Sequence, residues 1–279
     1  MKRRLTVVVA AAALAAWAGC TDLPSDPKTP FAVEFTAPAS PSVVLGDMLR
    51  DSLGLVAPLR AVAFNVHGDT IRDAAIRFAV VPVANDSTPA RIDPATGTLI
   101  ARPERVFAGR TFRVYAQVGS IQTVPVVLTV TRRPDVLLAV SPEVQSMPLR
   151  FSDTAAYSPT FSVRLRHDDA AFPGDSAVPA YEVRYRIVSA ASLDTAYIVL
   201  THGSRAHAQV DTTDANGVAS RERLRVDFRR FPRTTAATVG DSLVDSVRVE
   251  ARAYRAGGPV PGSPRILTLL IKTLKLATP

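Results

Sequence analysis

The chain of 279 residues holds one cysteine, Cys20, and four histidines, so few side chains can serve as nucleophile, base or soft metal ligand. Ser242, in Gly240-Asp241-Ser242-Leu243, would be a nucleophile if a base lay beside it. The last histidine, His207, precedes that serine, and the string runs straight into an alternating apolar segment; it reads as a polar turn. His167-Asp168-Asp169, with His202 and His207, is the cluster closest to a transition-metal set. Five residues apart on an extended strand, His202 and His207 face opposite ways, and no cysteine assists, which argues against zinc. Asp211, Asp214 and Asn216 gather oxygens before a turn and make a weak calcium candidate, but the spacing and closing glutamate of an EF-hand loop are missing. A hairpin in which Asn216-Gly217 supplies positive φ accounts for the same residues.

Arginine is the abundant functional group. Arg221, Arg223, Arg225 and Arg229 recur at even spacing, which on a strand puts them on one face. Arg164/Arg166 and Arg184/Arg186 repeat the pattern. Neighbouring strands of this kind would form a guanidinium-lined surface suited to phosphates, carboxylates or anionic glycans. The competing reading is a solvated face balanced by Glu182, Glu222, Asp227 and Glu250. The formal charge is +8, of which Lys2, Arg3 and Arg4 lie in the N-terminal segment. The remaining excess is spread along the chain, which speaks against a nucleic-acid arm.

Those three positives precede an unbroken small and apolar run from Leu5 to Ala18, then Gly19-Cys20. This is the layout of a secretory signal, too short to span a bilayer permanently. Trp17-Ala18-Gly19-Cys20 resembles the lipobox of bacterial lipoproteins, with Trp17 in place of the usual aliphatic residue. The resemblance implies cleavage after residue 19 and a covalent lipid on Cys20, which also explains a lone cysteine in an exported chain. No other cofactor is implied. Thr21 to Pro30 is a polar, proline-bearing tether, and Thr21 after the cysteine resembles lipoproteins passed to the outer membrane. The membrane, through this anchor, is thus one expected partner, and nucleic acid is not.

Positioning any of these groups falls to β-strands. Beyond residue 30 the dominant pattern is two-residue alternation in short runs bounded by Gly, Pro, Asn and Asp. Ile92 to Ile100 reads as strand, tight turn, strand; Thr111 to Val118 and Ile121 to Val130 follow. Thr131 to Asp135 breaks the series, and Val136 to Val140 begins another. In the second series Phe161, Val163 and Leu165 oppose Arg164 and Arg166, and Val247, Val249 and Ala251 oppose Arg248, Glu250 and Arg252. Ile266 to Ile271 is a core strand. The expected fold is all-β: two tandem immunoglobulin-like antiparallel sandwiches, over 31–131 and 135–276, after a signal of 1–19 and a lipidated tether of 20–30. The second is long for a simple sandwich, the excess falling near 141–159 and 168–179.

Asp214-Ala-Asn-Gly-Val-Ala-Ser220 and the alternating residues after it resemble the turn and strand of bacterial immunoglobulin-like domains of the invasin and intimin group. Val44-Leu-Gly-Asp47 and Ile92-Asp-Pro-Ala-Thr-Gly-Thr-Leu99 resemble the related repeats. This likeness implies surface display, spacing or adhesion without a catalytic centre. Gly240 to Leu243 is similar to the motif of GDSL lipases and esterases, which implies a serine hydrolase using Ser242. There the nucleophile comes early and its histidine late, the reverse of the order in this chain. The leading expectation is a membrane-anchored envelope or surface lipoprotein serving as a non-catalytic binding, adhesion or spacer module. Its partner would be an anionic envelope polymer or a protein. The alternatives are the Ser242 hydrolase and a structural subunit of a larger envelope complex.

Overall fold

A computed structural model describes residues 26–82, 88–149, 155–168, 176–190, 198–202, 205–206, 209–227 and 243–273. Cys20, Asp169, His207, Arg229 and Ser242 lie outside these residues. The described chain is all-β, with one helical turn, the 3₁₀ segment Arg105–Phe107.

In the second half two sheets face each other. One runs Val136–Ala139, Phe161–Arg166, Val218–Asp227, Ile198–His202 and Arg205–Ala206, with Ala155–Tyr157 also pairing Val218–Asp227. The other runs Val144–Leu149, Arg265–Thr273, Leu243–Arg252, Glu182–Ala190 and Val210–Thr212. With Val136–Ala139, Phe161–Arg166, Glu182–Ala190, Ile198–His202, Val218–Asp227, Leu243–Arg252 and Arg265–Thr273 lettered A to G, the sheets read A-B-E-D and G-F-C, the immunoglobulin arrangement. Period-two alternation produces it: Phe161, Val163, Leu165, Leu224 and Val226 from one sheet meet Val183, Tyr185, Val247, Val249, Leu267, Leu269 and Ile271 from the other, all at most 1% exposed.

The first half repeats the G-F-C order in shorter strands, and its other side consists of two separate strand pairs. Ser42–Val44, Val126–Thr131, Thr111–Val118 and Arg77–Val80 form one sheet, while Ala32–Phe35 pairs Ala61–Phe64 and Ala90–Ile92 pairs Leu99–Ala101. A separate core of Val43, Leu49, Leu59, Phe78, Leu99, Phe112, Val114, Leu128 and Val130 fills it. The expected Ile121 to Val130 strand is divided into Ile121–Gln122 and Val126–Thr131. Pro125 lies between them, without an amide to donate.

Pairing is not purely antiparallel. Ser42–Val44 runs parallel to Val126–Thr131, and Val144–Leu149 parallel to Arg265–Thr273. The chain enters each half along one sheet and then crosses to the other. Much of the surplus at 141–159 is used in this way, as two additional sheet strands, Val144–Leu149 and Ala155–Tyr157.

Candidate anion-binding surfaces

Val218–Asp227 carries three of the four arginines expected to share a face, and a β-bulge divides them. Val163 pairs Ala219 but Phe161 pairs Glu222, so Val218–Asp227 holds one extra residue between these points. Beyond the bulge Glu222, Leu224 and Val226 point inward and Arg223 and Arg225 outward. Arg223 lies over the Tyr157 ring, 4.1 Å from its centroid, a cation–π contact. Arg225 is exposed. Arg221 leaves that face: its Nε donates to Asp211 Oδ1 at 2.9 Å, its backbone amide to Asp211 Oδ2 at 3.0 Å and its Nη2 to the Thr212 carbonyl at 3.1 Å. It therefore ties the two sheets together at their edge.

Behind that tie is a polar cluster inside the sandwich. Glu222 and His202 are directly opposed across their strands, with His202 Nδ1 2.9 Å from Glu222 Oε1 and 3.7 Å from Asp211 Oδ1. Glu222 is fully buried and Asp211 is 1% exposed. The Tyr185 hydroxyl donates to the carbonyls of Phe161 and Ala219, 3.3 and 3.2 Å away. Burial, reinforced by Asp211 and opposed by Arg221, pushes the Glu222 carboxyl up to about 8. Its Oε2 has no hydrogen-bond partner among the described residues. The expectation that Glu222 is a solvated counter-charge is thus corrected. Its inward parity with Leu224 and Val226 was the available sequence signal.

The calcium candidate takes a different form. Asp211 serves Arg221, while Asp214 Oδ1 accepts the amides of Asn216 and Val218 at 2.8 and 3.0 Å, an Asx turn closed by Gly217 at φ +74°. No group of three His, Cys, Asp or Glu is arranged to hold a metal among the described residues. His167 is buried beside the inter-half linker, its Nε2 3.3 Å from Arg132 Nη1. A guanidinium only donates, so that ring nitrogen accepts. Asp168 is exposed, and its amide donates to Asp135 Oδ2 at 3.1 Å.

The Arg184/Arg186 alternation has more structure around it than its spacing revealed. On the outer face of the second sheet Arg186 opposes Glu250 and Arg184 opposes Arg252. Glu250 Oε1 accepts from Arg186 Nε at 2.8 Å and Oε2 from Arg252 Nη2 at 3.0 Å, and Arg252 Nη1 donates to the Tyr254 hydroxyl at 3.1 Å. Burial would raise the Glu250 carboxyl, but these donors outweigh it and hold it below the ordinary carboxylate range. Glu250, only 4% exposed, is therefore not a solvated counter-charge either.

No family model matches the chain. No curated protein matches it. Among solved structures it is similar to the Yersinia pseudotuberculosis adhesin InvE, at 12% identity and TM-score 0.32, over 86% of this chain and 58% of that one. It is also similar to human protocadherin-24 EC1-2, at 15% identity and TM-score 0.26, over 89% of this chain and 100% of that one. Domains 5–6 of the S-layer protein SbsC match at 11% identity and TM-score 0.25, over 89% of this chain and 100% of theirs. These likenesses assign no ligand, partner or activity to the chain.

Proposed function

We propose that the chain is an envelope lipoprotein, anchored through Cys20, whose two immunoglobulin-like units over 31–131 and 135–276 act as a non-catalytic spacer and binding module for an anionic envelope polymer. The observation that carries this reading is the outward display of arginines on both faces of the second sandwich: Arg164, Arg166, Arg223 and Arg225 on one, Arg186, Arg248 and Arg252 on the other. Guanidinium groups on rigid strands are suited to oxyanion recognition. The leader and Cys20 support placement at a membrane surface. An outer-membrane location rests on Thr21.

Two measurements test the two parts. Cells grown with a palmitate analogue should label the wild-type chain and not Cys20→Ala; an unlabelled wild type removes the anchor. The purified chain should co-sediment with acidic envelope polysaccharide, with affinity falling steeply as salt rises. Binding indifferent to salt removes the anionic partner.

A further inference from the structure

On the outer face of the second sheet, Arg184, Arg186 and Arg252 surround a hollow of about 150 Å³ that Leu53, Gln209 and Tyr254 also line. Three guanidiniums meet there, and one ionised carboxylate, Glu250, is shared between Arg186 and Arg252. Arg184 has no carboxylate hydrogen bond among the described residues; its Nη1 donates to Ser52 Oγ at 3.0 Å. Two other acids stand near it: Glu182, two positions earlier on the same strand, whose carboxyl burial pushes up to about 7, and Asp51, next to Ser52, which adds to that rise while Arg184 opposes it. Among the side chains that line the hollow, three guanidiniums stand against one carboxylate, a surplus of positive charge fixed on paired strands.

Its remaining lining is mixed. Gln209 and the Tyr254 hydroxyl offer neutral hydrogen-bonding groups, and Leu53, 47% exposed, offers an apolar edge. A cavity this size is small beside the roughly 300–1,000 Å³ of drug-sized sites and suits one compact group. Cations beside neutral polar groups and an apolar edge match an oxyanion on a ring bearing hydroxyls and a C–H face.

We propose that this hollow binds the carboxylate-bearing unit of an acidic saccharide: Arg184 takes the oxyanion, Gln209 and Tyr254 meet ring hydroxyls, and Leu53 packs against the C–H face. The proposal deepens the reading of an anion-binding envelope module and rests on it.

Calorimetric titration of the purified full chain with oligogalacturonate, its neutral methyl ester and inorganic phosphate tests it. Oligogalacturonate should bind and the ester should not. Arg184→Gln should weaken binding at least about tenfold, with Arg184→Lys falling between the two, while both variants melt like the wild type. Leu53→Ser, in an exposed loop, should weaken binding several-fold and serves as the second readout if Arg184 variants misfold. Phosphate binding as tightly as oligogalacturonate would overturn the saccharide assignment. Undiminished binding in Arg184→Gln, with loss in Arg225→Gln, overturns this site and leaves the wider function standing. A wild-type chain that binds no acidic polymer at low salt removes both.

Discussion

Glu222 and Glu182 are acids whose burial pushes them up to about 8 and about 7. In the unfolded chain each would ionise near pH 4.3. Between those limits the folded protein holds more protons at these two sites, so the stability they contribute is greatest below about pH 4 and declines as pH rises to about 8. Glu222→Gln, neutral at every pH, should flatten the decline, and melting temperatures measured across that interval will show it; an unchanged slope would assign the proton elsewhere. Arg221→Ala presents the opposite case, because it leaves Asp211 buried without its guanidinium. A loss of about 3 kcal/mol is expected from chemical denaturation, against well under 1 kcal/mol for Arg225→Ala at an exposed position. Parity carried the outward side of Arg225, whereas Glu222, expected as a solvated counter-charge, points inward, and Arg221 leaves the shared face for Asp211. The bulge was not legible, because one extra residue arises from pairing between strands that are distant in sequence.

At the scale of elements, the two turns singled out by their Asp and Gly residues occupy matching places in the two halves. Leu59 donates its amide to the Gly97 carbonyl and Leu165 to the Gly217 carbonyl, at 3.0 and 2.8 Å. Each glycine sits at positive φ, +71° and +74°, and a Cβ there would come within 2.4 Å of the Leu59 carbonyl or 2.5 Å of the Leu165 carbonyl. Gly97→Ala and Gly217→Ala should therefore each cost about 2 kcal/mol or more in urea unfolding. Gly68→Ala, at φ +82° with open space around it, should cost less because strain acts without a clash. The sequence made the turns readable, since Asn, Asp and Gly carry their chemistry locally. It left unread the parallel strands, because a short apolar run such as Ser42–Val44 does not encode the direction of its partner.

At the scale of the molecule, two large cores hold most of the buried apolar residues, one drawn from Val43 to Val130 and the other from Leu137 to Ile271, and a small cluster of Val33, Ala63 and Val118 adds to the first half. Leu269→Ala should remove about 2–5 kcal/mol. Hydrogen exchange should show faster opening of amides in 136–273, with those of Thr111–Val118 little changed; equal acceleration in both halves would mean that they unfold as one. Alternation alone indicated sandwiches. The buried acids and the arginine-lined hollow became visible only once strands from different parts of the chain were paired. The parallel pair of Val144–Leu149 with Arg265–Thr273 joins the second strand of the second half to its last described strand. Traction drawn through Val144 and Thr273 would act along these strands in opposite senses, so their hydrogen bonds would resist as a group in shear. A protein held at one end and loaded at the other would give way there abruptly rather than peel open.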